Sequence, residues 1–139
     1  MSLKTLTLAV ACALLGACGG GDAGGPTAQP SSAPYTVTLQ AGTPAVIAAE
    51  GLSLILTAVD DSRCPATALC IWAGEAVARV GIVQNGEAPA ALALSTTTDK
   101  GTASYRSYRI NLITVDPYPM TTQPIPLGEY RVSVRVDKA

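Results

Sequence analysis

The amino-acid sequence predicts an all-β fold, an antiparallel β-sandwich of about seven or eight short strands over residues 35–139. Three observations point to this class. Apolar side chains recur at every second position in several runs, which is the period of a half-buried strand. Turn residues separate these runs at a spacing typical of antiparallel proteins, and no capped amphipathic helix of about ten residues is found. An open barrel is the alternative architecture.

Seven strands follow from the alternation, in chain order over residues 35–39, 45–48, 52–59, 76–83, 90–94, 108–113 and 130–137. In the third strand, one face is predicted to carry four apolar side chains, namely Leu52, Leu54, Leu56 and Ala58. Asn85-Gly86 separates the fourth strand from the fifth. This pair suits a type I′ turn, because both central residues of that turn need a positive φ.

Composition excludes several classes of function. The chain has 139 residues, no histidine, four cysteines and a formal net charge of −1. Without histidine, Ser-His-Asp and Cys-His catalysis and imidazole metal sites are ruled out. A nearly neutral chain lacks the basic face that nucleic-acid binding needs. The sequence also contains no phosphate-binding, dinucleotide-binding, zinc or nucleophile-elbow motif, so neither a cofactor nor a metal is expected.

Residues 1–17 are predicted to be a signal peptide. Lys4 supplies a positive charge, and the uncharged residues 5–17 follow it. As a helix this run would measure about 20 Å, against the ~30 Å hydrocarbon core of a bilayer. A cleaved secretory signal therefore fits better than a transmembrane anchor.

The end of this segment, Leu15-Gly16-Ala17-Cys18, resembles the lipobox of bacterial lipoproteins. The resemblance implies a diacylglycerol group on the Cys18 sulfur, a fatty acyl chain such as palmitate on its amine, and a stable membrane anchor. Gly19, where aspartate would retain such proteins at the inner membrane, implies the outer membrane of a cell envelope, with the domain facing the periplasm. An ordinary signal peptide that contains Cys18 is the alternative.

Residues 18–34 are predicted to form the lipidated cysteine and a disordered linker. Residues 19–34 contain five glycines, three prolines and no large apolar side chain, so they cannot bury enough surface to offset their ordering entropy. Cys12 would leave with the signal, and the domain keeps only Cys64 and Cys70. In an oxidising compartment these two are expected to pair. A redox pair is the alternative, although the spacing is not C-x-x-C.

The most distinctive stretch is 60–76, which lies between two predicted strands. Here Asp61-Ser-Arg63-Cys-Pro is followed by Cys70, Trp72 and Gly74. We expect Trp72 to lie against the disulfide or to cap the edge of the sandwich, and Gly74 to allow a close backbone approach or a positive φ. The stretch resembles a family of uncharacterised bacterial envelope lipoproteins with a DSRCP…C-x-W-x-G motif. That resemblance implies an all-β domain and a disulfide, and it implies no activity.

Charged residues offer two weaker hypotheses. Asp60, Asp61 and Glu75 would suit a cation or an acid–base pair, but their spacing is not that of an EF-hand. Ion pairs with Arg63 or Arg79 are the alternative. A second set of basic residues is expected to form one solvated sheet face, with a ligand-binding stripe as the alternative: Arg106, Arg109, Arg131 and Arg135.

The best candidate for binding is the loop 116–126. Four prolines restrict its flexibility, and Tyr118, Met120 and Ile125 offer apolar contacts. The alternative is a crossover in which Tyr118 covers the core. The sequence thus predicts a lipid-anchored, non-enzymatic binding or structural module, with an envelope protein as a possible partner. An inhibitor of an envelope protease or hydrolase is the second hypothesis, and clustering of 60–76 with 116–126 at one end would favour recognition.

Overall fold

The computed structural model describes residues 33–139. The predicted signal peptide, Cys18 and most of the predicted linker therefore lie outside the described residues. The described chain contains eight strands: β1 Tyr35–Leu39, β2 Ala45–Ile47, β3 Leu52–Asp61, β4 Ala76–Gln84, β5 Ala90–Ser95, β6 Thr102–Tyr105, β7 Tyr108–Asp116 and β8 Arg131–Lys138. Two single-turn 3₁₀ helices accompany them, at Ala48–Glu50 and Leu127–Glu129.

The strands form two four-stranded antiparallel sheets, in the orders β1-β8-β7-β6 and β2-β3-β4-β5. The all-β prediction is confirmed, and two separate sheets are consistent with a sandwich. The sheets enclose one apolar core. Its fully buried larger side chains are Leu39, Leu52, Leu54, Leu56, Val80, Ile82, Leu94, Ile110, Val132, Val134 and Val136. Aliphatic residues from both sheets thus fill an interior that has no phenylalanine.

One strand was not predicted from the sequence. β6 lies at the edge of its sheet and pairs only with β7, through contacts such as Ala103 opposite Ile110. Only Tyr105 of this strand is buried. An edge strand with one buried side chain shows too little alternation of apolar and polar residues to be predicted from the sequence.

Two β-bulges change which side chains face the core. In β3 the register with β4 shifts at Thr57, so Leu56 lies opposite Val80 and Ala58 lies opposite the exposed Arg79. The prediction that Ala58 shares the face of Leu56 is therefore wrong, because the extra residue reverses the alternation. Beyond the bulge, Asp61 lies on the inner face. A similar shift at Ile113 in β7 leaves Ile113 half exposed and brings Val115 into the core.

The turn at Asn85-Gly86 has the predicted geometry. Both residues have positive φ, 51° and 72°, and the Glu87 amide donates to the Gln84 carbonyl at 3.0 Å. This turn closes one end of the sandwich, which we call the N-terminal end because β1 begins there with Tyr35 opposite Val136. The other end, where β3 and β7 finish and β4 and β8 begin, is called the loop end.

Candidate functional site: the loop end

Two long loops cover the loop end. The disulfide loop, residues 62–75, joins β3 to β4, and the proline loop, residues 117–126, follows β7. The amides of Ala66 and Thr67 donate to the carbonyls of Pro119 and Met120, at 3.0 and 3.3 Å. The Thr67 hydroxyl also donates to the Met120 carbonyl, at 2.8 Å. The two segments singled out in the sequence therefore form one surface, the arrangement expected of a recognition site.

A buried ion pair fixes the disulfide loop to the rest of the domain. Arg63 donates from Nε and Nη2 to the two carboxylate oxygens of Asp61, at 2.8 and 2.6 Å. The two side chains are only 9% and 8% exposed. The Tyr130 hydroxyl adds a third donor to the same carboxylate, at 2.9 Å. Asp61 reaches this position because the bulge at Thr57 turns it inward.

Arg63 also binds the opposite loop. Its guanidinium donates to the carbonyls of Val115 and Pro117, at 2.8 and 2.9 Å, and lies 4.9 Å from the centre of the Tyr118 ring. The Tyr118 hydroxyl in turn donates to the Cys64 carbonyl at 2.7 Å. Arg63 and Tyr118 therefore hold the two loops against each other. A planar group with five donors suits this task, and lysine would not replace it.

The charges of this cluster stabilise its ionised form. Burial raises the pKa of the Asp61 carboxyl, but the hydrogen bonds from Arg63 and Tyr130 outweigh burial, so its pKa lies below the ordinary value. Burial and the hydrogen bond to Asp61 raise the pKa of Tyr130 to about 12. Asp61 and Arg63 neutralise each other and use their hydrogen-bonding groups internally. The DSRCP residues thus act here as a structural clamp.

Cys64 and Cys70 form a disulfide within the same loop, with Cα atoms 5.9 Å apart. The predicted pairing is present. Gly74 closes the base of the loop with φ +67°, where Ser62 donates from its amide to the Glu75 carbonyl at 2.8 Å. A Cβ on Gly74 would lie 2.6 Å from the Ser62 carbonyl carbon. Both expected reasons for glycine, positive φ and close approach, therefore apply.

Replacing Cys64 and Cys70 with serine is expected to lower the free energy of unfolding by about 2–2.5 kcal/mol, because a short loop is no longer closed in the unfolded chain. Urea unfolding of residues 33–139, followed by circular dichroism, would measure this. In the unmodified chain, a thiol reagent without reductant should label neither cysteine. Labelling of either cysteine would contradict the structural role and favour the redox pair.

Several large apolar side chains are exposed on the two loops. Leu69 and Ile71 are as exposed as in an extended peptide, at 105% and 106%, and Trp72 is 82% exposed. Met120 of the proline loop is also exposed. We call these four residues the apolar tip. The expectation that Trp72 is covered by the disulfide or the sandwich edge is wrong, because its side chain is almost entirely exposed.

The predicted binding residues have separate roles. Met120 belongs to the apolar tip, Tyr118 is half exposed and bonds the disulfide loop, and Ile125 packs partly buried against the core. An open cleft of about 400 Å³ also lies at the loop end, lined by residues of both loops, among them Pro65 and Pro119, and by the Asp61–Arg63–Tyr130 cluster.

The other charged candidates have separate partners. Asp60 pairs with Arg79 at 2.9 Å, whereas Glu75 accepts hydrogen bonds from the hydroxyls of Ser95 and Thr97. These two hydrogen bonds lower the pKa of Glu75, and they outweigh burial, which raises it. Among residues 33–139, no group of three metal-ligating side chains converges on one point. The acidic residues are therefore occupied by local contacts rather than gathered around one site.

The arginine face is only partly as predicted. Three arginines, Arg109, Arg131 and Arg135, are exposed on strands β7 and β8 of one sheet. Arg135 pairs with Asp137 at 2.9 Å. Arg106 does not join them, because it lies in the β6–β7 turn with φ 52° and pairs with Glu87. The result is a mixed-charge face, which does not favour an anionic ligand.

Sequence reasoning singled out Trp72 but missed Leu69 and Ile71. The signal was present, because residues 64–74 carry five large or medium apolar side chains and no charge in a segment bounded by strands. Loop residues of this kind are normally polar, and several exposed apolar side chains together mark an interaction surface. The alternation test did not detect them because a loop has no fixed period.

Comparisons with protein-family models, with curated proteins and with solved structures found no match to this chain. Within the part of the chain that the structure describes, no helix has the length and apolar character needed to cross a membrane.

Proposed function

We propose that this protein is a lipid-anchored binding module of the bacterial cell envelope, held at the outer membrane with its domain in the periplasm. The observation that carries the binding role is the apolar tip, exposed on two loops that are bonded to each other. Rigid loops on a β scaffold are common sites of recognition. The lipobox-like residues that end at Cys18 support the anchor.

The tip has the composition of the centre of a protein–protein interface. Such centres are depleted in charged residues and enriched in aromatic residues and methionine. Trp72 and Met120 are of these types, and Leu69 and Ile71 add aliphatic surface. A non-enzymatic role follows from the same surface, because its exposed side chains offer contact area and no acid, base or nucleophile.

Cys18→Ala is expected to release the protein from the membrane fraction, because the acyl chains would no longer be attached. Immunoblotting of separated membrane and soluble fractions would measure this. Serine in place of the uninvolved Cys12 is the matched control and should leave the protein in the membrane fraction. Retention of the Cys18→Ala variant in the membrane would refute the lipid anchor.

The triple variant Leu69→Ser, Ile71→Ser, Trp72→Ser is expected to weaken binding of residues 33–139 to isolated envelopes by about 100-fold or more, since buried aromatic and aliphatic anchors dominate interface energies. Binding of the fluorescently labelled domain would be measured by sedimentation with envelopes. Val46→Ser is the control, because Val46 is an exposed apolar side chain on β2 near the N-terminal end. Equal binding by the triple variant and the wild type would contradict the proposal.

An inhibitor of an envelope protease or hydrolase is the second candidate. It is supported by one observation. Leu69 and Ile71 flank Cys70 on a loop closed by a disulfide, and both side chains are fully exposed. Such a loop would enter an enzyme cleft without large ordering cost. Addition of residues 33–139 to an envelope extract would then lower its hydrolytic activity, and the triple serine variant would not. A simple binding module would leave that activity unchanged.

A further inference from the structure

The apolar tip stands on an extended surface that carries no charge. Residues 64–74 and 117–126 contain no acidic or basic side chain, and the one arginine at their edge, Arg63, is buried against Asp61. Leu69, Ile71 and Trp72 project from this surface almost completely into solvent. Such a protrusion fits a concave and uncharged surface, because a charged partner would have to give up its hydration without gaining an ion pair.

The loop end as a whole carries a small excess of negative charge. Six carboxylates and four cationic groups lie in the loops at this end or within the adjoining strand ends: Asp60, Asp61, Glu75, Asp99, Asp116 and Glu129, with Arg63, Arg79, Lys100 and Arg131. This excess of negative charge disfavours approach to an anionic lipid surface, which attracts basic segments.

The chain enters the domain at the opposite end. β1 begins at Tyr35, whose hydroxyl lies 3.1 Å from Glu50. Glu50 also pairs with Lys138 at the end of β8, at 2.9 Å. β8 has 8 residues, so about 26 Å of strand separates this end from the loop end. A lipid anchor at Cys18 would therefore attach to the face farthest from the apolar tip.

Neither the linker nor a second copy of the chain is a suitable partner for the apolar tip. Residues 19–34 contain no large apolar side chain that could cover Leu69 or Trp72. If two copies met tip to tip, the negatively charged loop ends of both copies would face each other, and like charges placed opposite each other oppose association. A different protein, with an apolar surface and without an excess of negative charge, meets neither objection.

We infer that the apolar tip docks into an uncharged apolar groove of another protein, on the side of the domain opposite the point where the chain enters it. The inference rests on the proposed function and adds the class of partner and its direction. Trp72 and the neighbouring Leu69 are the anchors that fill the groove.

Trp72 is the single tryptophan of the chain, so its fluorescence reports directly on what covers the tip. The full lipidated chain would be placed in vesicles of phosphatidylethanolamine and phosphatidylglycerol, three to one, with lipids brominated along the acyl chains. The expected result is emission typical of a water-exposed indole and no loss of intensity relative to vesicles without bromine. Quenching by the brominated lipids would show that the membrane covers the tip and would overturn the inference.

The partner would be tested in intact cells with the full lipidated chain carrying benzoylphenylalanine in place of Leu69. Irradiation is expected to give a discrete, protease-sensitive adduct that is lost when Trp72→Ser is added. The same probe in place of Val46, which is exposed at β2 near the N-terminal end, should give no such adduct. Absence of the adduct, or an adduct of twice the mass of the chain, would overturn the inference.

These outcomes separate the inference from the proposed function. Lipid quenching or an adduct between two copies would refute the partner class while leaving a binding module whose triple serine variant binds envelopes weakly. Undiminished binding by that triple variant would refute the binding module itself.

Discussion

Arg63→Ala is expected to lower the free energy of unfolding by about 3–5 kcal/mol, because it leaves the buried Asp61 carboxylate without its counter-ion. It also leaves the carbonyls of Val115 and Pro117 without the guanidinium donors. A loss of this size is a large part of the stability of a small domain. Urea unfolding of residues 33–139 would measure it.

Arg79→Ala is the matched control for this prediction. Arg79 and its partner Asp60 are 58% and 60% exposed, and exposed ion pairs contribute no more than about 1 kcal/mol. Both variants remove one arginine from one ion pair, so the difference between them measures what burial and the bonds to Val115 and Pro117 add. Similar losses for Arg63→Ala and Arg79→Ala would contradict the clamp.

The same pair makes stability depend on pH in a defined direction. Because the pKa of Asp61 in the folded domain is lowered, its ionised form contributes stability above the pKa of the unfolded chain. That contribution is lost as the pH falls through the lowered, folded-state pKa. In Arg63→Ala, burial without a counter-ion raises the pKa of Asp61 instead. The difference in stability between wild type and variant should therefore narrow on acidification, as equilibrium unfolding at several pH values would show.

Gly74→Ala is expected to destabilise the domain by about 3 kcal/mol or more, since it combines strain at positive φ with a backbone clash. The added Cβ would lie 2.6 Å from the Ser62 carbonyl carbon and 3.1 Å from the Arg63 Cα. Neither atom belongs to a flexible side chain that could move away. The base of the disulfide loop would have to open, and the apolar tip would lose its support.

Gly42→Ala separates the two contributions. Gly42 also has a positive φ, +77°, but a Cβ there would meet nothing within 4 Å. We therefore expect a loss of only about 1 kcal/mol, the cost of a left-handed conformation for alanine. Thermal and urea unfolding of both variants would compare them, and equal losses would show that the clash at Gly74 is relieved.

The structure changes the meaning of the DSRCP motif. From the sequence, Asp61 was a candidate for holding a cation, and an ion pair with Arg63 was the alternative. The two residues form a buried clamp with Tyr130, and the exposed surface is left to Leu69, Ile71 and Trp72. Stability and recognition thus reside in adjacent residues of one loop, with separate side chains for each role.

Much of the fold could be predicted because its signals are local. In β8, Val132, Val134 and Val136 are all buried and the residues between them are not, as the alternation predicts. Asn85-Gly86 forms its turn because positive φ is a property of the two residues themselves. The Cys64–Cys70 pairing followed from the count of cysteines left in the domain.

The predictions failed where one extra residue or a distant contact decides the outcome. A bulge at Thr57 is enough to turn Ala58 outward and Asp61 inward. The periodicity of the sequence does not reveal where a bulge will occur. Trp72 was expected to be covered, but it is exposed. The buried contacts of this region are made instead by Asp61 and Arg63 with Tyr130, which is distant in the sequence.

The sequence by itself thus determined the all-β class, most of the strands, the disulfide and the two segments, 60–76 and 116–126, that were candidates for recognition. Only the tertiary structure decided that these loops meet at one end, that Arg63 joins them, and that the apolar tip lies opposite the entry of the chain. The reason is physical. Alternation, turn conformation and cysteine pairing over a short loop depend on neighbouring residues, whereas the contact of Arg63 with Pro117 depends on the registers of four strands in two sheets.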